Sequence, residues 1–139
     1  MGTREEFARW LRHARHALES AKRDRAAGDH PWACFKAEQA GQFALKALLR
    51  GLGYPAFGHA TGRLVEALRR AGLVVPPEIE EAARALERHY IPPRYPDVFP
   101  EGTPADFYTP EDSERALQHA EKILAFVAEV GKRELGAGA

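Results

Sequence analysis

Residues 31–50 read PWACFKAEQAGQFALKALLR, and this stretch decides the fold. Ala33, Cys34, Ala37, Ala40, Gly41, Ala44, Leu45, Leu48 and Leu49 cover much of the circumference of a helix, and Trp32, Phe35 and Phe43 widen that cover. A helix that is apolar on most sides belongs at the centre of its domain. Its small residues let neighbouring helices approach closely. One polar run breaks the pattern: Gln39, Gln42 and Lys46 stand at i, i+3 and i+7 and form a single stripe.

Working outward, the flanking segments are helical too. Thr3-Arg4-Glu5-Glu6 fits a capping box, followed by Phe7, Trp10, Leu11, Ala14, Leu18 and Ala21 on one face. Gly28 ends that helix, and Asp29-His30-Pro31 starts the central one. A turn-rich stretch over 51–58 leads to a shorter helix carrying Leu64, Val65, Leu68 and Ala71, stopped by Gly72. Pro76-Pro77-Glu78 opens a fourth, with Ile79, Ala82, Ala83, Leu86 and Tyr90 inward; Pro92-Pro93 ends it near Ile91.

Six of the ten prolines lie between Pro92 and Pro110. The segment also holds Tyr95, Phe99, Phe107 and Tyr108, too many aromatics for a solvated linker, so it reads as an ordered loop packed on the helices. Thr109-Pro110-Glu111-Asp112 is the sharpest helix start in the chain. Ala116, Leu117, Ala120, Ile123, Leu124, Val127 and Val130 follow it. No strand candidate exceeds Leu73-Val74-Val75. The expectation is an all-α, antiparallel up-and-down bundle of about five helices with one long proline-rich ordered loop. It occupies 1–135 as a single domain, and residues 136–139 fray.

The chain has 139 residues, the size of one domain, and at that length roughly two-thirds of the unfolded surface is buried. It needs no metal or disulfide to fold. Hydrophobic and charged fractions of 45% and 29% argue against disorder. No run of apolar residues is long enough for a membrane helix, and Met1-Gly2-Thr3-Arg4-Glu5-Glu6 is charged where a secretory signal is apolar. The single cysteine, Cys34, fits a reducing compartment, so a cytoplasmic location is expected. Net charge is zero, which gives no overall steering toward a polyanion. Between Arg4 and Arg25 seven basic residues face four acidic ones, a local basic stripe that reads first as a solvated face. His13 and His16 on the same helix lack an acid to complete a metal site, and Arg9, Arg12 and Arg15 repel a cation. No metal or cofactor is expected.

Three segments carry a resemblance. Residues 33–49, ACFKAEQAGQFALKALL, resemble the second-helix signature of HEPN domains (higher eukaryotes and prokaryotes nucleotide-binding). Tyr90-Ile91-Pro92-Pro93-Arg94-Tyr95-Pro96-Asp97 is similar to the Y-I-P-x-R-Y-P-D segment of that family, and Tyr108-Thr109 looks like the start of its closing helix. His59 sits where the family usually has a histidine opening helix three. The resemblance implies a helical bundle that self-associates, a homodimer. It also implies a minimal nucleotidyltransferase as partner, in a toxin–antitoxin-type pair, and a nucleotide or RNA ligand. One departure stands out: the family's Q-A-x-E is Gln39-Ala40-Gly41-Gln42 here, an amide in place of the acid.

Two readings follow. In the first, the chain is a binding module whose nucleotide site joins Gln39, Gln42, Lys46 and His59 to Arg94, Tyr95 and Asp97 of the proline loop. Amides pair with a base edge, cations hold phosphate, and an aromatic ring stacks. The same residues also fit a structural role, with the stripe facing water and an Arg94–Asp97 clasp pinning the loop over Tyr95. In the second, the chain is a metal-independent ribonuclease toxin using Arg84 and His89, which fit the Arg-x(4–6)-His spacing of some HEPN ribonucleases. That spacing is weakly informative, because fifteen Arg and six His yield about two chance matches. Arg9–His16, Arg23–His30 and Arg25–His30 match it as well. On a continuous helix, residues five apart point roughly 140° from each other.

Overall fold

The computed structural model describes residues 3–136. It contains α1 (Arg4–Ala26), α2 (His30–Gly51), α3 (Thr61–Arg70), α4 (Pro77–Glu87), α5 (Pro104–Phe107) and α6 (Pro110–Leu135), and no strand among the described residues. The fold is an all-α helical bundle. α2 lies at its centre, packed against α1, α6, α3 and α4. Ala33, Ala37, Ala40, Ala44, Leu45, Ala47 and Leu48 along it have no exposed surface. A Cβ on Gly41 would sit 2.7 Å from Leu86 Cδ1, so the missing side chain there sets how closely α4 approaches α2.

The helix termini follow the local chemistry with two corrections. Thr109 and Asp112 form the full reciprocal box at the start of α6. At α1, Thr3 Oγ1 accepts from Glu6 N at 2.9 Å, but the Glu6 carboxylate turns to Arg9 at 3.1 Å, so only half of the expected box is made. α4 ends at Glu87 instead of near Ile91. His89 N and Tyr90 N bond back three residues, to Leu86 and Glu87, so the chain tightens and leaves the helix before the Pro92-Pro93 pair reaches it.

The proline segment is ordered, and it contains more structure than a loop. Pro96–Val98 forms a 3₁₀ turn, and α5 is one helical turn closed by a Thr103–Asp106 box. Phe99 and Phe107 stack on each other at 4.5 Å with their planes 4° apart. Gly136 closes α6 in the left-handed region, φ 63°, a conformation that favours glycine. Of the tail expected to fray, residues 137–139 lie outside the described residues.

Candidate functional site

The polar stripe of α2 is only partly solvated: Gln42 is buried, and Gln39 and Lys46 are half-buried. Its centre is a residue that the sequence pattern does not single out: Glu38, a carboxylate with no exposed surface. Gln39 Nε2 donates to Glu38 Oε1 at 2.7 Å, and Gln42 Nε2 donates to Glu38 Oε2 at 3.1 Å. Gln42 Nε2 also reaches the His59 carbonyl at 3.4 Å, and Lys46 Nζ donates to Gln42 Oε1 at 3.0 Å. One chain of hydrogen bonds thus runs along α2 through Glu38, Gln42 and Lys46, each four residues from the last, and ties the helix to the segment before α3.

Burial pushes the Glu38 carboxyl up to about 7, against the hydrogen bonds from Gln39 and Gln42 and the attraction of Arg94 and Lys46. Lys46 is lowered, first by burial and then by repulsion from Arg50. The buried carboxylate of the stripe is Glu38, one turn before the Gln42 amide, and Gln42 is bonded to it. The cue in the sequence was the acid at i of an i, i+4, i+8 polar series on an apolar helix.

The proline loop reaches the same place. Arg94 Nε donates to the Tyr90 carbonyl at 2.7 Å, and its guanidinium lies over the rings of Phe35 and Tyr90, 4.6 and 4.5 Å from their centroids. His59 stacks on Tyr90 at 3.9 Å, 7° from parallel. His59 is exposed, while Tyr90 and Arg94 are half-buried. Phe35 and Tyr90 were not among the expected site residues; they supply the aromatic floor. Gln39, Gln42, Lys46, His59 and Arg94 therefore belong to one cluster.

Tyr95 and Asp97 stand at its margin. Tyr95 is 46% exposed, its ring 5.3 Å from the Arg94 guanidinium. Asp97 is exposed and makes no ion pair among the described residues, so no Arg94–Asp97 clasp forms. The loop is held by the guanidinium on aromatic faces instead.

Arg84 and His89 turn to different partners. Arg84 is exposed and bonds Glu80 at 3.0 Å and Glu66 at 3.4 Å, on the α3 side of α4. His89 lies past the end of α4 and meets the Tyr108 hydroxyl at 3.2 Å. Burial, and then the neighbouring Arg88 charge, pushes its imidazole down to about 4.

The chain is thus a small all-helical module that carries a buried carboxylate–amide–ammonium chain on its central helix beside an arginine loop. The HEPN domain profile matches residues 7–130, and the chain belongs to the HEPN domain family. It is similar to the crystal structure of TT1696 from Thermus thermophilus, with 45% identity, 88% of this chain and 96% of that chain covered, and a TM-score of 0.85. An archaeal HEPN homologue shares 33% identity over 94% of this chain and 98% of its own, TM-score 0.74. A HEPN domain protein of Thermotoga maritima shares 30% identity over 90% and 98%, TM-score 0.73. A comparison with curated proteins returns no match. No helix among the described residues is long and apolar enough to cross a membrane.

Proposed function

We propose that the chain is a nucleotide-binding HEPN module whose ligand lies on the surface formed by Gln39, Lys46, His59 and Arg94. The observation that carries this reading is Glu38. A carboxylate without solvent is costly to keep, and Glu38 has amide donors but no direct cationic partner. What it does is orient Gln39 and Gln42, and through Gln42 it fixes Lys46 and the backbone of His59. The groups left facing outward suit a nucleotide. One face of the His59 ring is open for stacking, the half-exposed Gln39 amide suits a base edge, and Lys46 and Arg94 suit phosphate. Arg84 and His89, facing separate partners, give less support to cleavage than this cluster gives to binding.

The expected assembly is a homodimer. Trp32, Ile91, Tyr95, Val98 and Phe107 are 44–47% exposed, and large apolar side chains left this open are what a dimer interface would cover. A nucleotidyltransferase partner would use the same kind of surface. Light scattering at micromolar protein is expected to give the dimer mass; a monomer mass contradicts it.

Calorimetric titration with ATP and with short RNA tests the binding reading. Wild type is expected to bind, and Lys46→Ala and Arg94→Ala each to lose about tenfold in affinity, as for the removal of one charge-assisted contact. No binding by the wild type, or equal binding by all three proteins, removes the ligand role from this surface.

A further inference from the structure

His89 and Tyr90 are consecutive but face different neighbours. Tyr90 joins the cluster above, whereas His89 looks into a cleft between the end of α4 and the first turns of α6. The narrow part of that cleft, about 100 Å³, is lined by Arg88, His89, Asp112, Arg115 and His119. It adjoins a groove of about 290 Å³ that shares Arg88, His89 and Asp112 and is walled by Pro92, Tyr108 and the stacked pair Phe99 and Phe107.

The charges in this cleft are unbalanced. Arg88 and Arg115 are exposed and form no ion pair among the described residues, unlike Arg25, Arg69 and Arg84. The one carboxylate in the lining, Asp112, is engaged through Oδ2 with the Thr109 backbone N–H at 2.9 Å. Around His119, Lys122, Arg88 and Arg115 oppose Glu81; around His89, Arg88 and His119 oppose Asp112. Burial is the first cause holding both imidazoles below their usual range, and the surplus of cations adds to it. Two arginines and two imidazoles thus line one cleft with a single carboxylate among them.

We propose that this cleft binds a phosphate dianion, free or as an organic monoester, gripped by Arg88 and Arg115 with His89 and His119 beside it. The planar forks match the oxygens of a tetrahedral dianion. In a monoester, the organic group lies along the Phe99–Phe107 wall. The anion stabilises protonated imidazole, so the bound protein holds more protons than the free one and affinity rises as pH falls. The site is separate from the Lys46–Arg94 surface and does not depend on it.

The test is an NMR titration of the six histidine ring signals in the full-length protein. Sulfate, a dianion with no titration of its own near neutrality, inorganic phosphate and AMP are each added at constant ionic strength. The expected result is saturable shifts at His89 and His119 alone, stronger at pH 5 than at pH 8 for sulfate, since the free His89 imidazole stands at about 4. Arg88→Ala and Arg115→Ala, both at exposed positions, each lose about tenfold in affinity. Lys46→Ala retains the full response, which separates this site from the nucleotide surface. Tighter AMP than phosphate, with the difference removed by Phe107→Ala, identifies a monoester; equal affinities identify the free ion. Unsaturable shifts shared by all six histidines, or wild-type binding by both arginine variants, overturn the proposal.

Discussion

Replacing Glu38 by glutamine gives a stability effect whose sign depends on pH. The carboxyl stands at about 7 in the folded chain, against an ordinary value of 4.5. Below about 4.5 the side chain is protonated whether folded or not, and the group is neutral to stability. As pH rises toward 7 the unfolded chain ionises first, so the wild type loses stability progressively through that window. At about 1.4 kcal/mol per pH unit, the loss reaches roughly 3 kcal/mol above pH 7. Glu38→Gln is isosteric and does not ionise. Its amide must turn one N–H toward Gln39 or Gln42, which reduces the gain at every pH by the same amount. The variant is therefore expected to gain up to about 3 kcal/mol on the wild type between pH 4.5 and pH 8. Urea denaturation of both proteins at those two pH values measures the difference. A difference that does not change with pH, or one that moves in favour of the wild type as pH rises, refutes the assignment of Glu38 as a desolvated, poorly compensated acid.

Three further outcomes follow from the packing. Gly131→Ala drives a Cβ into the buried Phe7 ring, so the variant is expected to lose about 1–3 kcal/mol in thermal or urea unfolding. Thr109→Ala and Thr3→Ala each remove one hydroxyl that accepts from an N3 backbone N–H, while the Asp112 bond to the backbone N–H of residue 109 survives, so each is expected to cost about 1 kcal/mol in unfolding; no loss in either variant contradicts the capping geometry. Arg84→Ala is expected to leave nucleotide affinity and any action on RNA unchanged, because its bonds go to Glu80 and Glu66; a gel assay showing metal-independent RNA cleavage lost in that variant restores the ribonuclease reading.

The architecture was legible because α2 leaves little room for another interpretation: no two-sided sheet or surface helix accommodates Ala33 to Leu49. The start of α6 was equally plain, since a cap, a proline and two acids stand in consecutive positions. Legibility failed where tertiary structure overrides local pattern. Tyr90 continues the spacing of α4, yet the backbone leaves the helix at Glu87 and carries Tyr90 to His59 instead. α5 is a single turn, too short to show a period. Glu38 was missed because an isolated acid on a helix reads as solvent-facing; only the packing of the His59 and Arg94 segments over it removes its water. The Arg94–Asp97 pairing failed for the converse reason. Sequence proximity suggested an ion pair, but aromatic faces from α2 and the Tyr90 turn are nearer to the guanidinium.

A nucleotide bound beside Glu38 has a consequence for that carboxyl. Its phosphates, approaching Lys46 and Arg94, draw off the cations that help to keep the carboxylate ionised and raise its proton affinity further. ATP titration at pH 7 in buffers of different ionisation enthalpy counts the protons taken up on binding. With the Glu38 carboxyl at about 7, the wild type is expected to take up as much as about half a proton per nucleotide bound, and Glu38→Gln to bind without that uptake. The same proton count in both proteins, or no ATP binding by the wild type, contradicts the account.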